Sequence, residues 1–390
     1  MSITGDWVES TTTAWLLYDI TRSPLLLGIG GALRAAATIG FGLFGGAVAD
    51  RVPRRQLLLV TQTSMAAASL ALGVLVVTGR VEVWHVYIFS VIVAALGSFD
   101  QPTRRALFPT LVQRQDLPNA VMLNSAAVRV GRLIGPAVAG IVIALFGPAV
   151  SYFANAVTFV ALIAALLAIR ARQEPVVRPV PMLRAVADGF RYMIDRPLLR
   201  SLLVLDSVQS GLGLNTAIVT IVASDVLHAG PEGLGLLLSS QAAGTLLATL
   251  ALILIGDVKR KGSTMLASGA AYCLALGAFG FATIGVLSAA LMFVCGFTDA
   301  IWSTLRTTIV QLAADEAYRG RAMGVLLLSG RGLGQASQIE TGVAVSIGGP
   351  TFAVVLGAAL IAITLAAVNV TSPEVRKYES VAEPQARVAG

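Results

Sequence analysis

The sequence contains few charged residues. Asp, Glu, Lys and Arg make up 13% of its 390 residues, whereas hydrophobic residues make up 56% and the mean hydropathy is +0.80. Because a soluble globular chain carries about 25% charged residues, the composition excludes a typical soluble protein and indicates a membrane protein with many spans. Residues 56–78 carry no charge at all, and a helix needs about 20 apolar residues to cross the hydrocarbon core.

Cysteine and histidine are also scarce, with two residues of each. Cys273 and Cys295 fall in predicted spans, and His85 and His228 lie far apart near predicted helix ends. This spacing fits neither a disulfide framework nor a metal site, so the sequence predicts no metal and no cofactor. The same scarcity disfavours a membrane-embedded enzyme, which needs a clustered nucleophile, base or metal.

A basic loop at residues 46–55 separates two apolar runs. Its candidate functional positions are Gly46, Asp50, Arg51, Arg54 and Arg55. Because arginine-rich loops stay in the cytoplasm, this loop is predicted to face inward. The pattern G-x-x-x-D-R-x-x-R-R resembles the signature loop between helices 2 and 3 of the major facilitator superfamily, with Pro53 at the usual glycine position.

Landmarks in the two halves of the chain recur at a nearly constant offset. Pro24 and Pro231 are 207 residues apart, as are Gly28 and Gly235. The same offset separates Asp50 from Asp257, whereas 199 residues separate Asp100 from Asp299. An internal repeat of this kind predicts two parallel six-helix halves, which is also the construction that the resemblance implies.

The predicted fold is therefore an all-α membrane protein, the twelve-transmembrane-helix major facilitator fold. Its predicted parts are a first half at 1–170, a cytoplasmic linker with an amphipathic helix at 171–197, a second half at 198–370, and a cytoplasmic tail, expected to be disordered, at 371–390. The spans are predicted near residues 1–18, 25–49, 56–78, 83–100, 119–146, 150–169, 198–224, 234–255, 264–284, 287–307, 321–346 and 350–370.

The net charge of +7 is unevenly distributed along this map. Most Lys and Arg residues lie in loops and tails of one face, and only Arg22 and Arg80 fall on the other. This asymmetry follows the positive-inside rule, so both termini are predicted to be cytoplasmic in the cell (inner or plasma) membrane. It also argues against a nucleic-acid partner, because the positive charge is explained by topology.

The first span is short. Gly5-Asp6-Trp7 and residues 14–18 resemble the middle and outer half of helix 1 in the siderophore- and drug-exporter branch of the superfamily. In that branch a basic tail and roughly half a helix precede this point. The resemblance therefore implies a helix 1 that is truncated at its start or is short.

Helix 5 contains a motif of small residues. Residues 131–140 resemble the antiporter motif G-x-x-x-G-P-x-x-G-G, with Ala139 replacing one glycine; the matching positions are Gly131, Gly135, Pro136 and Gly140. Small residues one turn apart let helices approach closely, and proline bends a helix. The resemblance implies an exporter that exchanges its substrate for protons. Close packing without that function is the alternative.

Charged residues within spans are the candidates for proton coupling or substrate binding, because inserting each costs about 2.5–3.5 kcal/mol. They include Asp6, Glu9, Arg34, Arg129, Asp206 and Glu340. Asp6 and Glu9 share a helix face, and two close carboxylates in a low dielectric suit a proton carrier, although a watery vestibule that keeps both ionised is the alternative. Arg34 is expected to be their counter-ion or to bind an anionic substrate group. Asp206 and Glu340 each need a partner from another helix or a bound proton.

Further acidic residues are predicted near the inner ends of helices 4 and 10. Asp100 precedes Arg104 by one turn, a spacing that favours an ion pair, and Asp299 is its counterpart in the second half. Together with Asp257 and the basic loop, these residues are interpreted as a cytoplasmic gate.

The combined prediction is a monomeric transporter in the lipid bilayer that exports a small amphipathic molecule, such as a drug or siderophore, in exchange for protons. A uniporter or importer with the same fold is an alternative. A non-transporting membrane scaffold or sensor is a second alternative, which the charged residues within spans disfavour.

Overall fold

The computed structural model describes residues 2–49, 52–107, 115–168 and 182–379. Within these ranges the chain forms helices and short connections. The first half contains α1 (Ser2–Thr21), α2 (Pro24–Ala49), α3 (Arg54–Val77), α4 (Val83–Leu107), α5 (Leu117–Phe146) and α6 (Pro148–Ala168). The linker contains α7 (Met182–Asp195). The second half contains α8 (Pro197–Leu212), α9 (Thr216–Ile221), α10 (Gly230–Ile255), α11 (Lys261–Phe281), α12 (Gly285–Ala313), α13 (Glu316–Leu328), α14 (Gly334–Thr371) and α15 (Pro373–Arg376).

These helices provide twelve membrane crossings, as predicted. Among the described residues, nine segments are long and apolar enough to cross a membrane by length and composition. α1 and the more polar α5 supply two more crossings. The long helix α14 is bent at Gly349, whose φ of 81° ends one helical arm and starts the next, so that α14 completes one crossing and makes another.

The seventh crossing is interrupted, although the sequence predicts one continuous helix. α8 ends at Leu212 and α9 begins at Thr216. The Asn215 side chain caps α9 by accepting a hydrogen bond from the Ile218 backbone N–H at 3.1 Å. The Leu214 N–H, which has no helical partner, donates to the Tyr272 hydroxyl at 3.0 Å. Gly213 and the Asn215 cap therefore break the helix within the membrane. Hydropathy alone does not predict this break.

The two halves contact each other through pairs of helices that the internal repeat relates. The main pairs are α2 with α14 and α5 with α10, and α1 also contacts α9. The face that carries the turns at 22–23 and 79–82 is the one predicted to be extracellular, and it is called the outer face below. The largest cluster of buried hydrophobic residues lies mostly in the second half, where it includes Trp302, and extends into the first half.

The linker helix α7 is attached to the second half. The Tyr192 ring stacks on that of Tyr318 with centroids 4.4 Å apart, and Arg196 pairs with Asp315 at 2.6 Å. The expectation of a disordered tail is wrong for residues 373–379, because α15 packs there and buries Val375 completely. Residues 380–390 lie outside the described part of the chain.

Candidate functional site

A cavity of about 390 Å³ lies between the halves and is lined mainly by the second. Such a volume falls in the range of small-molecule sites. Its polar lining includes Arg132 from α5, Asp206 and Gln209 from α8, Gln241 from α10, Tyr272 from α11, and Asp299 and Arg306 from α12. Apolar side chains of α13 complete the wall, so the cavity offers polar and apolar surface to one ligand.

Asp206 forms a buried ion pair with Arg306, and the two side chains are 1% and 9% exposed. Asp206 therefore has the partner from another helix that its isolation in the sequence requires. The predicted span ends near residue 307, so Arg306 falls at the predicted membrane boundary. It is therefore not among the charged residues predicted within spans. The helix continues to Ala313, so Arg306 lies inside it.

The ion pair extends into a chain of polar contacts. Arg306 donates a hydrogen bond to the side-chain oxygen Oε1 of Gln209 at 2.9 Å. The side-chain nitrogen Nε2 of Gln209 donates to the Asp299 carboxylate. Asp299 also interacts electrostatically with Arg132 on the facing half. The predicted place of Asp299 at the inner end of its helix is wrong, because α12 continues for fourteen residues beyond it.

Glu9 is the centre of a buried polar cluster in the first half. Its carboxylate accepts hydrogen bonds from the Ser69 hydroxyl at 2.5 Å and the Asn155 side-chain amide at 2.7 Å. The residue is 4% exposed and joins α1, α3 and α6. Within the described residues no cation lies at ion-pair distance from this carboxylate, so neutral donors hold it.

Asp6 and Arg34 lie near Glu9 but make different contacts. Asp6, one helical turn earlier, is exposed, and it interacts electrostatically with Glu9, Arg34, Asp100 and Arg104. Arg34 donates a hydrogen bond to Ser10 at 3.2 Å. In the part of the chain that the structure describes, Arg34 is within electrostatic range of both carboxylates without a direct ion pair to either.

The residues interpreted as a gate form several separate contacts. Arg104 pairs with Asp100 at 2.5 Å, as their spacing predicts. The buried Asp100 also accepts hydrogen bonds from Gln62 at 2.6 Å and Thr61 at 3.2 Å, which tie α4 to α3.

The basic residues of the loops stabilise helix ends. Arg55 donates to the backbone carbonyls of Leu166 at 2.7 Å and Leu167 at 3.1 Å, which binds α3 to the end of α6. Asp257 pairs with the buried Lys261. Asp50 and Arg51 lie outside the described residues, as do the surroundings of Gly46 and the side chain of Arg129.

The predicted antiporter motif makes two close helix approaches. A Cβ atom on Gly135 would lie 2.5 Å from the Trp7 Cβ of α1. A Cβ on Gly140 would lie 2.6 Å from the Pro231 carbonyl oxygen of α10. Gly131 and Pro136 are buried in the same helix. Only glycine permits these separations, so the motif packs α5 against both its own half and the other half.

The same contact recurs at the second interface between the halves. A Cβ on Gly342 of α14 would lie 2.6 Å from the Pro24 carbonyl oxygen of α2. Pro24 and Pro231 are the pair related by the 207-residue offset, and so are Tyr18 and Asp225, whose side chains form a hydrogen bond between the halves. The repeat in the sequence is therefore a pseudo-twofold axis in the structure.

These contacts between the halves lie in the outer parts of their helices. Near the other end of α5, Met122 is 62% and Leu123 73% exposed. The described residues therefore hold the two halves together at the outer face. Glu340 lies away from the central cavity, in an apolar groove formed by α14.

The twelve membrane crossings, the two related halves and the central cavity define a membrane transporter of the major facilitator type. The model of the family described as "Transmembrane secretion effector" matches residues 1–388, and the chain belongs to this family. Its membership and fold establish a multi-span membrane transporter for a small molecule.

Similar proteins include transporters of known name. The "Enterobactin exporter EntS" of Shigella boydii serotype 4 is 25% identical over 307 residues, which cover 78% of this chain and 73% of that protein. The protein of the same name from Citrobacter koseri is 25% identical over 309 residues with the same coverage.

Solved structures share the fold at low sequence identity. The nucleoside transporter NupG superposes with a TM-score of 0.74 at 15% identity, covering 97% of each chain. The inward-open xylose transporter XylE from E. coli superposes with a TM-score of 0.69 at 13% identity, covering 98% of this chain and 96% of XylE.

Proposed function

We propose that the protein exports a small amphipathic molecule across the cell membrane in exchange for protons, and acts as a monomer with both termini in the cytoplasm. The observation that carries the coupling proposal is Glu9. Burial favours the neutral form of a carboxylate, whereas the hydrogen bonds from Ser69 and Asn155 favour the ionised form. A carboxylate under these opposed influences, without a fixed cation among the described residues, suits reversible proton binding.

The central cavity is the proposed substrate site. The side chains of Gln209, Asp299 and Arg306 line its wall and offer amide, carboxylate and guanidinium groups to a ligand. The apolar α13 wall accommodates its hydrophobic part. Because the relatives are named as enterobactin exporters, an enterobactin-type siderophore is the first substrate class to test.

Transport then follows because the inward-facing and outward-facing conformations bind substrate and protons with different affinities. Substrate enters the cavity from the inner face, and rocking of the halves exposes it to the outer face. Asp6 and Glu9 take up protons from the outer side, and release them inside after the return step. In the second half we assign substrate binding to Asp206 and Asp299, which line the central cavity, rather than to Glu340, which does not.

The test is uptake of iron-free enterobactin into proteoliposomes that contain the purified protein and have an acidic interior. A proton-coupled exporter accumulates enterobactin above its external concentration, and collapse of the pH gradient abolishes accumulation. A uniporter reaches only equal concentrations, and a scaffold or sensor gives no flux above that of empty liposomes. Either of these two results would reject the proposal for this substrate class.

A further inference from the structure

A second cavity lies on the membrane-facing surface, in the angle between the two arms of α14. Its volume is about 530 Å³, larger than that of the central cavity. Its lining includes Ile339, Glu340, Val343, Ile347, Phe352 and Leu356. Ile347 is 76% exposed, so the cavity is an open groove, and its mouth lies close to the bend at Gly349. It is called the α14 groove below.

Glu340 is the one charged residue in the lining of the α14 groove. Among the described residues, its half-buried carboxylate has neither a hydrogen bond nor an ion pair. An ionisable residue at membrane depth is costly to insert, and those that occur normally pair with a partner or serve a function. The described part of the protein supplies no partner, so this carboxylate either holds a proton or pairs with a cation from outside the protein.

The wall behind Glu340 connects the α14 groove to the interrupted seventh crossing. Glu340 also lines a narrower cavity together with Gly213 and Leu214, at the break between α8 and α9. The next residue, Thr341, accepts a hydrogen bond from the side chain of Asn215 at 2.8 Å. A ligand held by Glu340 would therefore sit one residue from the contact that joins the seventh and eleventh crossings.

We propose that the α14 groove binds a lipophilic monovalent cation that arrives from the bilayer. The carboxylate selects positive charge, and it repels anions. The aliphatic side chains bury apolar substituents, and the ring of Phe352 adds a favourable surface for a cation. Small hydrated cations lack the apolar surface that the side chains of the groove would cover. This site is separate from the central cavity and does not depend on the proposed export function.

The binding test uses tritiated tetraphenylphosphonium and the full-length protein in phosphatidylcholine nanodiscs. The wild type should show saturable binding, and Glu340→Gln should weaken it by about tenfold or more, since a charged contact is lost. Ile347→Trp, which fills the groove, should weaken it as well. Glu232→Gln, which neutralises an exposed glutamate at the start of α10, is the matched control and should bind as the wild type does.

A protection experiment locates the bound cation. In a background in which Cys273 and Cys295 are replaced by alanine, Val343→Cys reports on the α14 groove and Ser303→Cys on the central cavity. Tetraphenylphosphonium should slow the reaction of N-ethylmaleimide with the Val343→Cys variant and leave the Ser303→Cys variant unaffected. Wild-type affinity in a folded Glu340→Gln protein, or protection of the Ser303→Cys variant alone, would overturn the proposal.

Discussion

The buried polar clusters around Glu9 in the first half and around Asp206 in the second half differ in charge. In the first half Glu9 is bound by neutral donors. In the second half Asp206 is bound by a cation, Arg306. A carboxylate with neutral partners can change its protonation state without leaving an unpaired cation behind. On this difference rests our proposal that the first half binds protons and the second half binds the ligand.

Replacement of Glu9 by glutamine should therefore uncouple transport. Glutamine preserves the size of the side chain and can still accept the hydrogen bond from Asn155. Accumulation of enterobactin in proteoliposomes with an acidic interior should fall to the level without a gradient, while exchange at equal pH continues. Ser69→Ala, which removes one donor and keeps the carboxylate, is the control and should retain accumulation. Full accumulation by Glu9→Gln would contradict the assignment.

The ion pair between Asp206 and Arg306 should behave as a unit in stability measurements. Asp206→Asn or Arg306→Gln alone leaves one buried charge unpaired and should destabilise the protein by about 3–5 kcal/mol. The double variant removes both charges and should recover most of that loss. Unfolding midpoints of the four proteins in detergent form a double-mutant cycle. Additive losses in the double variant would show that the two charges do not stabilise each other.

At the scale of whole helices, the sequence predicts where each membrane crossing lies better than it predicts a break within a crossing. The span map matches most helix ends within a few residues, because the apolar runs and the basic loops are long and unambiguous. The pairing of Asp100 with Arg104 is also predictable, since both lie on one helix. The binding of Glu9 by Ser69 and Asn155 is not, because uncharged polar residues hardly change hydropathy and their contacts join distant helices.

The break in the seventh crossing is testable through Asn215, which caps α9 and donates to Ser337 and Thr341. Asn215→Ala removes the cap and both donated bonds, and should destabilise the protein by about 2–3 kcal/mol. Asn215→Ser keeps a capping oxygen without adding a charge within the membrane and should lose less, as judged by thermal unfolding in detergent. Equal midpoints for the two variants would show that the cap does not stabilise this break.

The glycines at the interfaces between the halves should control the balance of conformations. A Cβ on Gly28 would lie 2.5 Å from the Gln338 carbonyl oxygen of α14, whereas a Cβ on Gly40 in the same helix meets nothing within 4 Å. Gly28→Ala should therefore separate the halves at the outer face. Gly40→Ala is the matched control and should not.

Spin labels at Thr78→Cys and Thr283→Cys, on outer turns of opposite halves, measure this separation by double electron–electron resonance. Gly28→Ala should shift the distance distribution to longer values, and Gly40→Ala should reproduce the parent distribution. An unchanged distribution in Gly28→Ala would mean that this glycine does not hold the outer face closed.

At the scale of the whole molecule, the prediction to test is the orientation in the membrane, with both termini in the cytoplasm and the turn at 79–82 outside. Single cysteines at Arg80 and Gln115, in a background without Cys273 and Cys295, should differ in reactivity towards an impermeant maleimide on intact cells. The Arg80→Cys variant should react and the Gln115→Cys variant should react only after the cells are opened. Equal labelling of both in intact cells would reverse or reject the topology.

The most direct test of the central claim is to let the substrate drive protons. Proteoliposomes loaded with iron-free enterobactin and a trapped pH indicator are diluted into enterobactin-free buffer at equal pH, with the membrane potential clamped by valinomycin and potassium. If the protein exchanges substrate for protons, outward movement of enterobactin should acidify the interior, and Glu9→Gln should abolish the acidification. Enterobactin efflux with an unchanged or more alkaline interior would contradict proton exchange.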